Sequence, residues 1–113
     1  MSKDDVRLRH MLEAARKAVQ LVRGRTRADL DDNEMLTLAL TRLLEVLGEA
    51  AKGVSENVRQ QASAIAWKEI AGTRDRLIHG YFDVDLNIVW EIIMKDLPPL
   101  IAHLEQLVGQ GGT

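Results

Sequence analysis

The sequence predicts an all-α fold, an antiparallel bundle of four to five helices, and it does so on two observations. Apolar residues recur every three or four positions over three long stretches, and no stretch alternates with period two for more than a few residues. Size supplies the third constraint: 113 residues, 46% hydrophobic and 28% charged, suit one folded domain around one core. The expected domain is 1–113, with 109–113 a frayed tail.

The first helix follows from Leu8, Leu12, Ala15, Val19 and Val22, which fall on one stripe, with Gly24 as its stop. Residues 26–30 read as a short turn only. A second helix carries Leu36, Leu40, Leu43, Leu47, Ala50 and Val54, with Asp31, Asp32 and Asn33 as candidates to cap it. Residues 55–81 read as a short helix followed by a longer one over about 66–79, closed by Gly80. Tyr81-Phe82-Asp83-Val84 is too short and isolated to predict a sheet. The last helix starts after Asp85, its expected N-cap, and buries Leu86, Val89, Ile93, Leu97, Leu100, Leu104 and Leu107. Pro98 and Pro99 should kink or restart it, because each removes a backbone donor.

Composition narrows the function. With no cysteine, neither a disulfide framework nor a thiolate metal site is available. No apolar run approaches the ~18 residues of a membrane helix, and the charged start MSKDD has no targeting character, so a cytoplasmic location without membrane attachment is expected. Net charge is −2, yet residues 1–27 hold eight Lys/Arg against three Asp/Glu, so the balance is uneven along the chain. That basic stretch is either a solvated helix or a surface for a polyanion.

Polar residues interrupt the helical pattern most in the segment from Trp67 to Tyr81. Trp67, Ile70, Leu77 and Ile78 define an apolar arc, and Arg74 falls in its middle. An arginine there must snorkel, pair with a carboxylate such as Glu49, or face a cleft or subunit interface. His79 is the side chain most readily made a general acid or base near neutral pH, and also an ordinary structural histidine. Asp75, four residues earlier, would stack beside it on a helix and could orient the imidazole. Arg74 and His79 are about 140° apart on an ideal helix. Both reach one phosphate only if the helix unwinds at His79 or if a second copy completes the site, as in a two-fold homodimer. His10 and His103 have no such company.

Arg74, His79 and Tyr81 match an R-x4-H-x-Y signature, and the chain resembles the HEPN-domain proteins of the HepT type, ribonuclease toxins paired with a minimal nucleotidyltransferase antitoxin. Leu47-Gly48-Glu49-Ala50-Ala51, Trp67-Lys68-Glu69-Ile70-Ala71-Gly72, the run from Arg74 to Phe82, and Asp96-Leu97-Pro98-Pro99-Leu100 are similar to family blocks in the same order. Two departures lie outside the motif: Thr73 stands where a larger apolar residue is common, and Ala66 where proline often precedes the tryptophan.

The resemblance implies a HEPN-like bundle and the toxin of a type II toxin–antitoxin pair. Its activity would be metal-independent endonucleolytic cleavage of RNA, in which the 2′-hydroxyl attacks the adjacent phosphorus and leaves a cyclic phosphate. His79 would move the proton, Arg74 would stabilise charge on the phosphoryl oxygens, and Asp75 would hold the imidazole. No cofactor is implied. Tyr81 would accept AMP from the antitoxin, adding bulk and negative charge that exclude a phosphodiester, unless it is simply an aromatic packed after the helix. Some relatives are instead non-catalytic, nucleotide- or partner-binding helpers of a nucleotidyltransferase, and the motif alone does not prove turnover.

Overall fold

The computed structural model describes residues 2–79 and 83–111, with the backbone alone for His79 and for 110–111. Helix α1 (Lys3–Val22) opens on a capping box: the Asp5 N–H donates to Ser2 Oγ at 3.1 Å and the Ser2 N–H to Asp5 Oδ2 at 3.3 Å. Its stripe is buried at Leu8, Leu12, Ala15 and Val22, widened by Met11, Ala14 and Ala18. The chain then turns at Gly24, whose φ of 77° suits glycine alone at no cost. A four-residue helix, α2 (Asp29–Asp32), stands where only a turn was expected, and it buries Leu30.

Helix α3 (Glu34–Lys52) begins at Asn33, whose side chain accepts the Leu36 N–H at 3.0 Å. Leu36, Leu40, Leu47 and the following Val54 are buried as expected, but Leu44 and Ala51 are buried where Leu43 and Ala50 were predicted, and those two are half-buried. The stripe shifts because α3 is packed on two sides. It lies between α1 and the short helices α5 (Trp67–Ala71) and α6 (Thr73–Leu77), so its buried arc also takes in Thr41 and Gly48. At Gly48 a Cβ would come within 3.1 Å of the Ile70 carbonyl oxygen, so glycine permits the close approach of α3 to α5.

The region before α5 holds α4 (Glu56–Gln61), N-capped by Ser55. The long helix expected over 66–79 is not continuous. It breaks at Gly72, and the buried Thr73 hydroxyl donates to the Ile70 carbonyl at 2.6 Å, a local bond that competes with the helical ladder. It ends at Leu77, two residues before His79. Ile78 is extended (φ −107°, ψ 119°), and β1 (Ile78–His79) pairs antiparallel with β2 (Asp83–Val84), Ile78 opposite Val84 and His79 opposite Asp83. The Asp85 N–H donates to the Leu77 carbonyl at 2.7 Å. Strand pairing between β-branched Ile78 and Val84 thus replaces the last helical turn, and Asp83-Val84, read as unable to form a sheet, does pair. Gly80, Tyr81 and Phe82 lie outside the described residues.

Helix α7 (Leu86–Glu91) is capped by Asp85, which accepts the N–H groups of Asn87 and Ile88. It widens into a π-helical turn (Ile92–Asp96) before α8 (Leu97–Gly111). The Leu97 N–H reaches back five residues to Ile92, and the added width makes room for the Pro98 and Pro99 rings in the first turn of α8. The predicted restart therefore occurs, as a π-turn just ahead of the prolines. α8 continues through Gly111, into the stretch expected to be a frayed tail from 109; 112 and 113 lie outside the described residues.

α1 packs against both α3 and α8, and α3 against α5 and α6, around one continuous apolar core. Among the described residues, no helix is long and apolar enough to cross a membrane.

Candidate active site

Arg74 and the His79 backbone sit where α6 gives way to the paired strands. Within α6, Thr73 and Leu77 are buried against the core while Arg74, Asp75 and Arg76 are exposed. Five residues are little more than one turn, so anchoring the segment at both ends fixes which way its middle faces. The flanks are firm: Trp67 is buried with its Nε1–H donated to the Ala62 carbonyl at 3.0 Å, and Leu77 is held by the Asp85 backbone bond.

Arg74 does not pair with Glu49, whose carboxylate instead takes Lys52 Nζ at 3.3 Å. Among the described residues its guanidinium has no ion-pair or hydrogen-bond partner and the side chain is exposed, so pairing with a carboxylate, one of the alternatives expected for it, does not occur. Its neighbour Arg76 reaches Asp96 at 3.7 Å. Arg76 and Asp96 also line a cleft of about 370 Å³ with Glu69, Ile70, Lys95 and His103; Arg74 is not part of that cleft. Arg74 is instead exposed on α6.

His79 is placed by β1, on extended backbone, while Tyr81 lies outside the described residues. The break at Ile78 has two consequences. The helical stacking of Asp75 on His79 is lost, because four-residue spacing brings side chains together only on a continuous helix. The separation of about 140° no longer applies either, because unwinding at the histidine is one of the two routes by which Arg74 and His79 can address a common phosphate. Sequence reasoning missed the hairpin, although Ile78 and Val84 are strand formers flanking Gly80. Among the described residues, no three His, Asp or Glu side chains come together as a set able to hold a metal ion.

Comparison with known proteins gives this surface its context. A protein of Caldanaerobacter subterraneus subsp. tengcongensis named "Putative RNase" is 39% identical over 101 residues, covering 89% of this chain and 90% of its own. The "Probable ribonuclease HepT" of Thermococcus cleftensis is 34% identical over 100 residues, 85% of this chain and 91% of its own. A Methanocaldococcus jannaschii protein named "Gamma-glutamylcyclotransferase and putative RNase" is 38% identical over 109 residues, 96% of this chain but 49% of its own. No solved structure matches. The family model described as Ribonuclease HepT-like matches residues 11–107, and with it the helical bundle and the segment from Trp67 to Val84, so the chain belongs to the HepT-like ribonuclease family.

Proposed function

We propose that this chain is a metal-independent endoribonuclease, the toxin of a toxin–antitoxin pair, acting through Arg74 and His79. The observation that carries the reading is the exposed Arg74 guanidinium, without a partner among the described residues, on the short helix that unwinds into the strand bearing His79. A buried or paired arginine would be structural, whereas a free guanidinium on the helix that leads into a histidine-bearing strand is available to a phosphodiester. The ribonuclease names of the relatives support RNA as the substrate.

In this scheme the 2′-hydroxyl oxygen attacks phosphorus, its proton leaves to a base, and the P–O5′ bond breaks as the departing oxygen gains a proton. His79 serves the proton transfers. Arg74 neutralises charge building on the non-bridging oxygens. Asp75 is retained as an orienting group for His79 on its place in the motif segment, without helical stacking to support it. We further propose that a nucleotidyltransferase antitoxin silences the enzyme by transferring AMP to the Tyr81 phenol, and that two copies pair as a homodimer around the exposed motif surfaces. Action on RNA in the cytoplasm belongs to the same reading.

Incubating the purified chain with RNA in the presence of a chelator tests the chemistry: fragments ending in a 2′,3′-cyclic phosphate are expected, and the matching 2′-deoxy strand should stay intact. RNA left whole by a chain that still binds a nucleotidyltransferase would instead identify a non-catalytic helper. Tyr81→Phe should cut RNA normally yet escape silencing by antitoxin and ATP, and the intact mass of the wild type should rise by one or more AMP units. Mixing Arg74→Ala with His79→Ala subunits should restore part of the activity if each site draws on both chains.

A further inference from the structure

The basic residues of 1–27 do not form one surface. Arg16 is paired with Glu105 at 2.6 Å, and Arg9 is half-buried with its Nε sealed from solvent and unbonded. Arg7 lies across Gly53, where a Cβ would collide with it. Of Arg9 and Arg16 on α1 and Arg23 just past its end, only Arg23 is both exposed and without a side-chain partner among the described residues.

The turn leaving α1 is different. It carries Arg23, Arg25 and Arg27 at alternate positions around Gly24. Arg27 is half-buried and acts as a clasp: its Nε–H donates to Asn87 Oδ1 at 2.8 Å and its Nη1 to Asp31 Oδ1 at 3.1 Å. Asn87 is two residues beyond Asp85, whose N–H holds the Leu77 carbonyl at the end of α6. The turn is therefore tied to the end of the bundle where the hairpin carries His79, with Arg74 about one helical turn below Leu77. Arg23 and Arg25 are exposed. The Arg25 Nε–H donates to the Leu21 carbonyl at 3.1 Å, which holds this guanidinium at the helix exit. Two of the three carboxylates of α2 are engaged elsewhere, Asp31 with Arg27 and Asp29 with the Thr26 N–H at 2.7 Å, while Asp32 is exposed.

We propose that Arg23 and Arg25 form a phosphate-binding extension of the nuclease site. A single-stranded RNA cut at Arg74 and His79 would continue past the start of α7 onto these two guanidiniums. The inference rests on the ribonuclease reading. RNA is favoured over an acidic protein because the turn that carries these arginines is tied through Arg27 to Asn87 at the start of α7, beside the strand pair that follows the motif helix, and guanidiniums suit phosphate geometry. Such contacts position the strand without reading its bases.

The test is the affinity of the full chain for a short single-stranded RNA, 2′-O-methylated so that it cannot be cut, measured by fluorescence anisotropy across a salt series. Arg23→Gln/Arg25→Gln should weaken binding about tenfold at ~0.1 M salt. It should also lower the slope of log affinity against log salt by about 1.4, because each phosphate contact on a single strand contributes about 0.7. Arg23→Lys/Arg25→Lys should retain the slope. Helicity by circular dichroism is the folding control for both variants. Unchanged affinity and slope in the glutamine variant would overturn the extension while cleavage by the wild type left the nuclease reading standing. Binding that depends on the arginines in a chain that cuts no RNA would do the reverse. RNA binding left intact while a nucleotidyltransferase no longer binds the glutamine variant would assign the arginines to the protein partner and overturn the proposal.

Discussion

The α1–α3 pair and the segment from α5 to the hairpin obey different rules. In the pair, two helices of 20 and 19 residues each bury a long apolar face, each begins on a side-chain cap, and no charged residue among those described is fully buried. In the site segment, two five-residue helices are joined at Gly72 and give way to a two-residue strand. Helices that short have no stability of their own. They persist because Trp67, Thr73 and Leu77 are locked into a framework that α3 provides. The lesson is a division of labour: one half supplies packing energy, and the other uses it to hold Arg74 and the His79 backbone where no regular helix would place them.

That division is tested first at its sharpest point. Arg74→Ala and His79→Ala should each lower RNA cleavage by about 10²–10⁴-fold while the melting temperature stays near that of the wild type, since Arg74 is exposed and contributes no buried contact. A variant that lost activity only in proportion to lost folded protein would make the segment structural. The mirror experiment is Leu40→Ala, at a fully buried position in α3. It should cost about 2–5 kcal/mol in denaturant unfolding, with the cleavage rate per folded molecule unchanged.

Smaller effects grade the framework. Asn33→Ala removes the acceptor for the Leu36 N–H and should cost about 1 kcal/mol, read in the same unfolding assay. The smallest expected effect is a pH dependence at the far end of α1. The Ser55 backbone N–H, and after it the Ser55 hydroxyl, hold the Asp4 carboxyl below its ordinary value of 3.8. A lowered folded value means that the stabilisation is present above the unfolded pKa and is lost as pH falls through the folded one. Asp4→Asn should therefore narrow the stability difference between neutral and strongly acidic solution, while leaving the profile unchanged at higher pH.

How far the sequence speaks follows the same boundary. The three apolar stripes announced the bundle, Asn33 and Asp85 were read as caps and are caps, and the prolines marked the restart before α8. Those signals are local. The exchange of Leu43 for Leu44 on α3 was hidden, because it depends on a second neighbour that periodicity within one helix does not reveal. The break at Gly72 and the loss of helix at Ile78 were also hidden, since pairing with Val84 is a tertiary choice that overrides a strong helical pattern. Of the candidate site, Arg74 and His79 were legible as residue types that interrupt a pattern. Their placement was not: Asp75 at four residues from His79 made a sound helical argument on a helix that ends two residues too soon.

Trp67 has a practical consequence. The chain has two tryptophans, Trp67 and Trp90, and neither lies in α1 or α3. Trp67 is buried, with its indole hydrogen bonded to Ala62, and Trp90 is half-buried in α7. Intrinsic emission from this protein therefore comes wholly from the part of the molecule that surrounds the motif. Excited near 295 nm, the unlabelled protein would report a rearrangement of that part as a spectral shift while the helical scaffold stayed dark.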